Sequence, residues 1–134
     1  MGKSLVQLVK IPKINDDCYL YFIQHPTHVP FQIKRVYFIL DAHTKLSRGF
    51  HAHKKTKQLI FCIKGNIRLV LHNGQRSKEV VLDKPETGVL IDKMVWHEMH
   101  DFQKDTILLI LASHIYNSKD YIRDYQKFLS LVKK

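Results

Sequence analysis

His51-Ala52-His53 is the stretch of this sequence best suited to chemistry. In an extended strand residues i and i+2 project to the same face, so both imidazoles enter one space about one pleat repeat apart. An imidazole titrates near neutral pH and can accept a proton and give it back. It also ligates Fe, Mn, Zn or Ni. Three readings therefore compete: proton transfer, a metal site completed by His97 and Gln58, and two satisfied structural histidines in a chain that holds nine. Proton transfer is preferred. Gln58 is neutral and a weaker metal ligand than a carboxylate, and two histidines on one strand face, preceded by Arg48-Gly49, weigh against a purely structural role. His25, His28, His43, His72, His100 and His114 share no usable spacing with the pair. Lys45, Arg48, Lys54, Lys55 and Lys57 bracket it, and the formal net charge is +10. Such a field favours an anionic partner, and a nucleoside diphosphate and a nucleic acid both qualify.

The elements that must position these residues are mostly short strands. Leu5–Val9, Tyr19–Ile23, Phe31–Leu40, Gly49–His53, Gln58–Ile63, Ile67–His72, Lys78–Leu82, Gly88–Ile91, Val95–Met99 and Thr106–Ala112 read as β, with turn signals between them. Within the third run Val36, Phe38 and Leu40 face one way and Tyr37 the other. Asn73-Gly74 predicts a two-residue type I′ hairpin. From Asp120 onward Tyr121, Ile122, Tyr125, Phe128, Leu129 and Val132 recur with helical spacing, which predicts a helix capped by Ser118 or Asn117 with Asp120 in its first turn. So many short strands in 134 residues predict one all-β domain, 1–134, a sandwich or barrel closed by a C-terminal helix. No apolar run approaches the roughly 20 residues of a membrane helix. Two lone cysteines, Cys18 and Cys62, fit buried thiols in a reducing compartment, and a cytoplasmic location is expected. Basic residues are neither gathered on the one helix nor interleaved with aromatics, which weighs against a nucleic-acid module.

The spacing of His51, His53, Gln58 and Gly65 resembles the first motif of the cupins in all but its acid. His97 falls where their second motif ends, although Asp92 and Met94 replace its usual Pro and Gly. Longer runs are more specific. Ile33-Lys34-Arg35-Val36-Tyr37, Arg48-Gly49-Phe50-His51-Ala52-His53-Lys54, Val95-Trp96-His97-Glu98-Met99, Leu111-Ala112-Ser113 and Asp120-Tyr121-Ile122-Arg123 resemble, in order, the dTDP-4-keto-6-deoxyglucose 3,4-ketoisomerases. The resemblance spans residues 31 to 128. It departs at Asp16-Asp17-Cys18, where members commonly carry a Gly-containing stretch with Arg or Tyr in place of Asp17.

That resemblance implies a cupin-type jelly-roll barrel, a homodimer, and catalysis without metal or other cofactor. The implied substrate is dTDP-4-keto-6-deoxyglucose or a similar nucleotide sugar, and the product feeds 3-amino-3,6-dideoxy sugars of surface glycans. His51, His53 and Tyr37 are the expected catalytic groups, with the division between the two histidines left open. Arg48 is the first choice for phosphate, because a guanidinium binds phosphate oxygens bidentately and stays charged. Arg35 and Lys54 come next, and Gln58 and His97 are expected against the sugar. The alternatives are a metal-dependent cupin enzyme, a sugar nucleotide 3,5-epimerase, and a non-enzymatic module that binds anions or nucleic acid.

Overall fold

A computed structural model describes residues 4–133. In chain order the strands are β1 (Gln7–Lys10), β2 (Lys13–Asn15), β3 (Tyr19–Tyr21), β4 (Arg35–Ile39), β5 (Arg48–His53), β6 (Gln58–Lys64) and β7 (Ile67–His72). They continue with β8 (Ser77–Leu82), β9 (Thr87–Ile91), β10 (Trp96–His100), β11 (Ile107–Ala112) and β12 (Tyr121–Ile122), before the helix α1 (Tyr125–Val132). Two five-stranded sheets form, ordered β1-β9-β6-β11-β4 and β12-β5-β10-β7-β8, and every pairing is antiparallel. This is the jelly-roll barrel that the resemblance implies, and it fits the sandwich or barrel that the strand pattern predicts.

The main core lies between the sheets. Leu69 and Leu71 of β7, Val89 and Ile91 of β9, and Leu108 and Ile110 of β11 meet there with Phe102. Strand β7 alternates buried and half-buried residues, as a strand solvated on one face should. Strand β6 does not alternate, and Gln58 through Cys62 are all buried. Its outer face is covered by the chain between Ile11 and Ile33, which packs Ile11, Tyr21, Val29 and Phe31 against Leu59 and Phe61. Helix α1 covers the second sheet from outside, where Phe128 packs with Trp96, Ala52 and Ile122. No helix among the described residues is long and apolar enough to cross a membrane.

Four sequence expectations change. The Asn73-Gly74 hairpin has four loop residues, because β7 and β8 pair as far as His72 with Ser77. Gly74 takes the positive φ, +99°, while the Asn73 carboxamide oxygen accepts from the backbone of Gln75 and Arg76. The side-chain turn thus displaces the two-residue type I′ form. The C-terminal helix starts at Tyr125, capped by Asp124, which accepts from the backbone N–H groups of Gln126 and Lys127. Asn117 caps only a single 3₁₀ turn, Ser118–Asp120, and Tyr121–Ile122 leaves it as strand β12, paired with β5. Helical spacing survived in the sequence because Ile122 and Phe128 enter the same small core from different elements. Finally, Cys18 is exposed while Cys62 is buried. Burial pushes the Cys62 thiol up to about 11.

Candidate active site

Strand β5 carries the pair. It faces β10 with His51 directly opposite His97, and the two rings lie 4.5 Å apart. The rings of His51 and His53 are 5.0 Å apart on the same strand face. Between His97 and Glu98 the register slips by one residue, a β-bulge formed around Gly49 and Phe50. Gly49 sits at φ +92°, and a Cβ there would stand 2.8 Å from the His97 carbonyl oxygen. The bulge needs glycine for both reasons. It also turns the Gly49 carbonyl onto the His51 ring, whose Nδ1 donates to it at 3.0 Å.

That bond fixes chemistry. A carbonyl only accepts, so the His51 proton resides on Nδ1 and Nε2 is left with a lone pair. The same logic holds for His53, whose Nδ1 lies 2.9 Å from the Asp120 carboxylate. For His97 the Nδ1 contact is a longer one, 3.4 Å to the Val95 carbonyl. The Nε2 atoms of His51 and His53 are buried without a hydrogen-bond partner. Burial lowers His51 to about 4, with His53 and the guanidiniums of Arg123 and Arg48 pushing the same way against the Gly49 carbonyl. His53 is also lowered by burial, although Asp120 pulls it back up. His97, buried beside the other two, is held well below the ordinary imidazole value by burial and by the two neighbouring rings. All three rings are therefore neutral at pH 7, which is the state a base must be in before it acts.

Around them lies a cavity of 440 Å³ lined by Arg35, Tyr37, Ile39, Arg48, Gly49, His51, His97, Met99, Tyr116, Tyr121 and Arg123. Strand β4 supplies Arg35 and Tyr37 from one face, as their spacing requires. Gln58 donates to the Tyr37 hydroxyl from β6. Burial, then the neighbouring Tyr121, raises Tyr37 to about 12, so it stays a phenol and a proton donor. Three guanidiniums share the space, with Arg123 lying 4.4 Å over the Tyr121 ring and Arg35 5.4 Å over that of Tyr37. The arrangement can neutralise a diphosphate at its rim and move protons at its base.

Most of the expected site residues meet in this region, with three placed otherwise. His53 stands behind the lining, 4.4 Å from the Tyr121 ring. Gln58 reaches the cavity only through Tyr37. Lys54 is exposed outside it, and its backbone N–H donates to the Asp120 carbonyl. Of the cations that bracket the pair, Arg48 alone lines the cavity. Sequence reading gave no site role to Tyr116, Asp120, Tyr121 or Arg123. The clue was an acid, a phenol and a guanidinium crowded into Asp120-Tyr121-Ile122-Arg123, which helical periodicity assigned to the start of the C-terminal helix.

As a metal centre, the ligating atoms of His51, His53 and His97 lie within 4.8 Å of one another. This set offers imidazole nitrogens alone. Asp120 occupies the far side of His53, and the Gln58 amide is engaged by Tyr37. The carboxylate itself is ionised, since hydrogen bonds from Thr56, His53 and the Lys55 N–H outweigh the effect of burial and lower it.

Known proteins match this chain over nearly its whole length. The family model described as "FdtA: WxcM-like, C-terminal" matches residues 4–133. A TDP-4-oxo-6-deoxy-alpha-D-glucose-3,4-oxoisomerase from Aneurinibacillus thermoaerophilus is 44% identical over 115 residues, covering 86% of this chain and 83% of that protein. The crystal structure of a 3,4-ketoisomerase from Helicobacter canadensis superposes with TM-score 0.93 at 36% identity, covering 96% of this chain and 98% of the other. That of QdtA, a sugar 3,4-ketoisomerase from Thermoanaerobacterium thermosaccharolyticum in complex with TDP, gives 0.93 at 37% identity over 96% and 95% of the two chains. A match across nearly every residue, together with histidines, phenol and guanidiniums converging on one cavity, means that the chain belongs to the FdtA family, the sugar 3,4-ketoisomerases.

Proposed function

We propose that this enzyme moves the carbonyl of a dTDP-4-keto-6-deoxy-hexose from C4 to C3 through a 3,4-enediol, using its own side chains. The observation that carries the reading is the His51 ring. It is neutral, locked with its proton on Nδ1 by Gly49, and keeps a free Nε2 beside a cavity with three guanidiniums. Arg48, Arg35 and Arg123 hold the diphosphate, and remote binding of the nucleotide fixes the sugar against the base. The hydrogen on C3 is acidic because it adjoins the C4 ketone. His51 Nε2 takes it, while the Tyr37 hydroxyl gives its proton to the C4 oxygen. The resulting imidazolium exchanges its proton with solvent and returns one at C4, while the proton of the C3 oxygen passes inward to His53 Nε2 behind the lining as that carbon becomes the ketone. Proton passage from His53 to the Tyr37 phenolate restores the site. Stabilising the developing enolate contributes several kcal/mol at the barrier. No step calls for a metal, and His97, packed against His51, bounds the sugar pocket.

The test is NMR of the purified protein with dTDP-4-keto-6-deoxyglucose in D2O. The ketone is expected to migrate to C3 with deuterium entering at C4. Deuterium at C3 and C5 without migration means a 3,5-epimerase instead. An unchanged substrate, with and without added divalent metal, defeats the enzyme reading for this sugar.

A second copy of the chain is the proposed occupant of the outer face of β4. Val36, Phe38 and Leu40 are 54%, 64% and 49% exposed there, and β4 is the last strand of its sheet. An apolar edge of this kind is costly to leave in water. Sedimentation should give a dimer that Phe38→Asp converts to monomer; a wild-type monomer at micromolar concentration would sink the idea.

A further inference from the structure

We propose that Asp120 is a positioning residue of this site, acting through His53, and that the strand Tyr121–Ile122, entered directly from the 3₁₀ turn that ends at Asp120, serves to deliver it. The kinetic part of this proposal rests on the function proposed above; the structural part does not. Asp120 Oδ2 lies 2.9 Å from His53 Nδ1. The carboxylate is itself held in place, with the Thr56 hydroxyl donating to Oδ2 and the Lys55 N–H to Oδ1 at 2.7 Å. Backbone pairing adds to this: Tyr121 is the strand partner of His53, and the Lys54 N–H donates to the Asp120 carbonyl. A helix over the same residues, as the spacing suggests, would break that pairing and withdraw the carboxylate.

Two consequences follow for His53, which is 2% exposed and has no partner at Nε2. A carboxylate accepts only, so it selects the tautomer with the proton on Nδ1 and keeps the Nε2 lone pair on the side of the histidine cluster. It is also the only acid facing that ring among the described residues. The other groups around His53 are the His51, His97 and Tyr121 rings, with Arg35 and Arg123 acting against its protonation. An imidazolium formed there in turnover therefore has Asp120 as its counter-charge.

Asp120→Asn isolates these roles, because the amide keeps the shape and its oxygen can still accept from the Lys55 N–H. The new N–H₂ faces His53 Nδ1 and reverses the tautomer, a change that a carboxylate clamping only the 54–56 loop would not transmit. The expected results are a kcat lower by about 10²- to 10³-fold with KM within threefold. In ¹⁵N NMR the His53 proton should sit on Nδ1 in the wild type and on Nε2 in the variant. A variant kcat within threefold of wild type, or a wild-type His53 protonated on Nε2, overturns the proposal. If the wild type fails to isomerise the sugar, the proposed function falls instead, and the tautomer in the wild-type spectrum alone decides the role of Asp120.

Discussion

His51→Asn should abolish carbonyl migration, lowering kcat by about 10³-fold or more, while the fold and the binding of dTDP persist. The asparagine amide can still donate to the Gly49 carbonyl that now receives His51 Nδ1 at 3.0 Å. What it lacks is a nitrogen able to take a proton near neutral pH. The guanidiniums of Arg35, Arg48 and Arg123 are untouched, so nucleotide affinity should stay within a few-fold. Titration calorimetry with dTDP and the D2O exchange experiment separate the two effects. Turnover within tenfold of wild type would remove His51 from the mechanism and leave His53 as the carbon base.

Stability should fall steeply in mild acid, and the histidine cluster is the reason. An unfolded histidine protonates near 6.5, whereas folded His51 does so only at about 4. Between those values the unfolded chain binds more protons, so stability is full above pH 6.5 and is lost as pH falls toward 4. For His51 alone the complete loss is about 3 kcal/mol, or about 10 °C of Tm in a domain of this length. His53 and His97 are lowered by burial too, and act in the same direction as pH falls below 6.5. Asp120, held below its ordinary value, begins to lose its ionic contribution only below pH 4 and adds nothing in this range. Thermal melts at pH 7, 6 and 5 should show an accelerating drop, and His51→Asn should flatten it, since asparagine does not titrate. A Tm independent of pH between 7 and 5 would mean that the three rings are hydrated and not buried together.

Both expectations depend on how much of the site lay in local sequence. The His51/His53 pair, the shared face of Arg35 and Tyr37 and the β-rich pattern are all consequences of a two-residue period, which a strand imposes wherever it lies. The β-rich barrel, the paired imidazoles and the common face of Arg35 and Tyr37 were therefore legible before any coordinates. Lys54 shows the limit of that legibility. It adjoins the pair and is cationic, yet it lies past the last strand residue and outside the cavity. Nearness along the chain carried no information about which way the chain turns after His53.

The sequence by itself determined an all-β domain with two imidazoles on one face, because alternation and turn chemistry are local. Tertiary structure alone decided three things. It set His97 against His51, a pairing across 46 positions that depends on sheet register and on the bulge at Gly49. It put the apolar face of β4 outside and Arg35 and Tyr37 inside, against what hydrophobicity alone would choose. It also drew Asp120, Tyr121 and Arg123 into the site by making a strand where spacing had suggested a helix. The physical reason is the same each time. Hydrogen bonding across strands and the satisfaction of buried polar groups are settled between distant segments, and no local period records them.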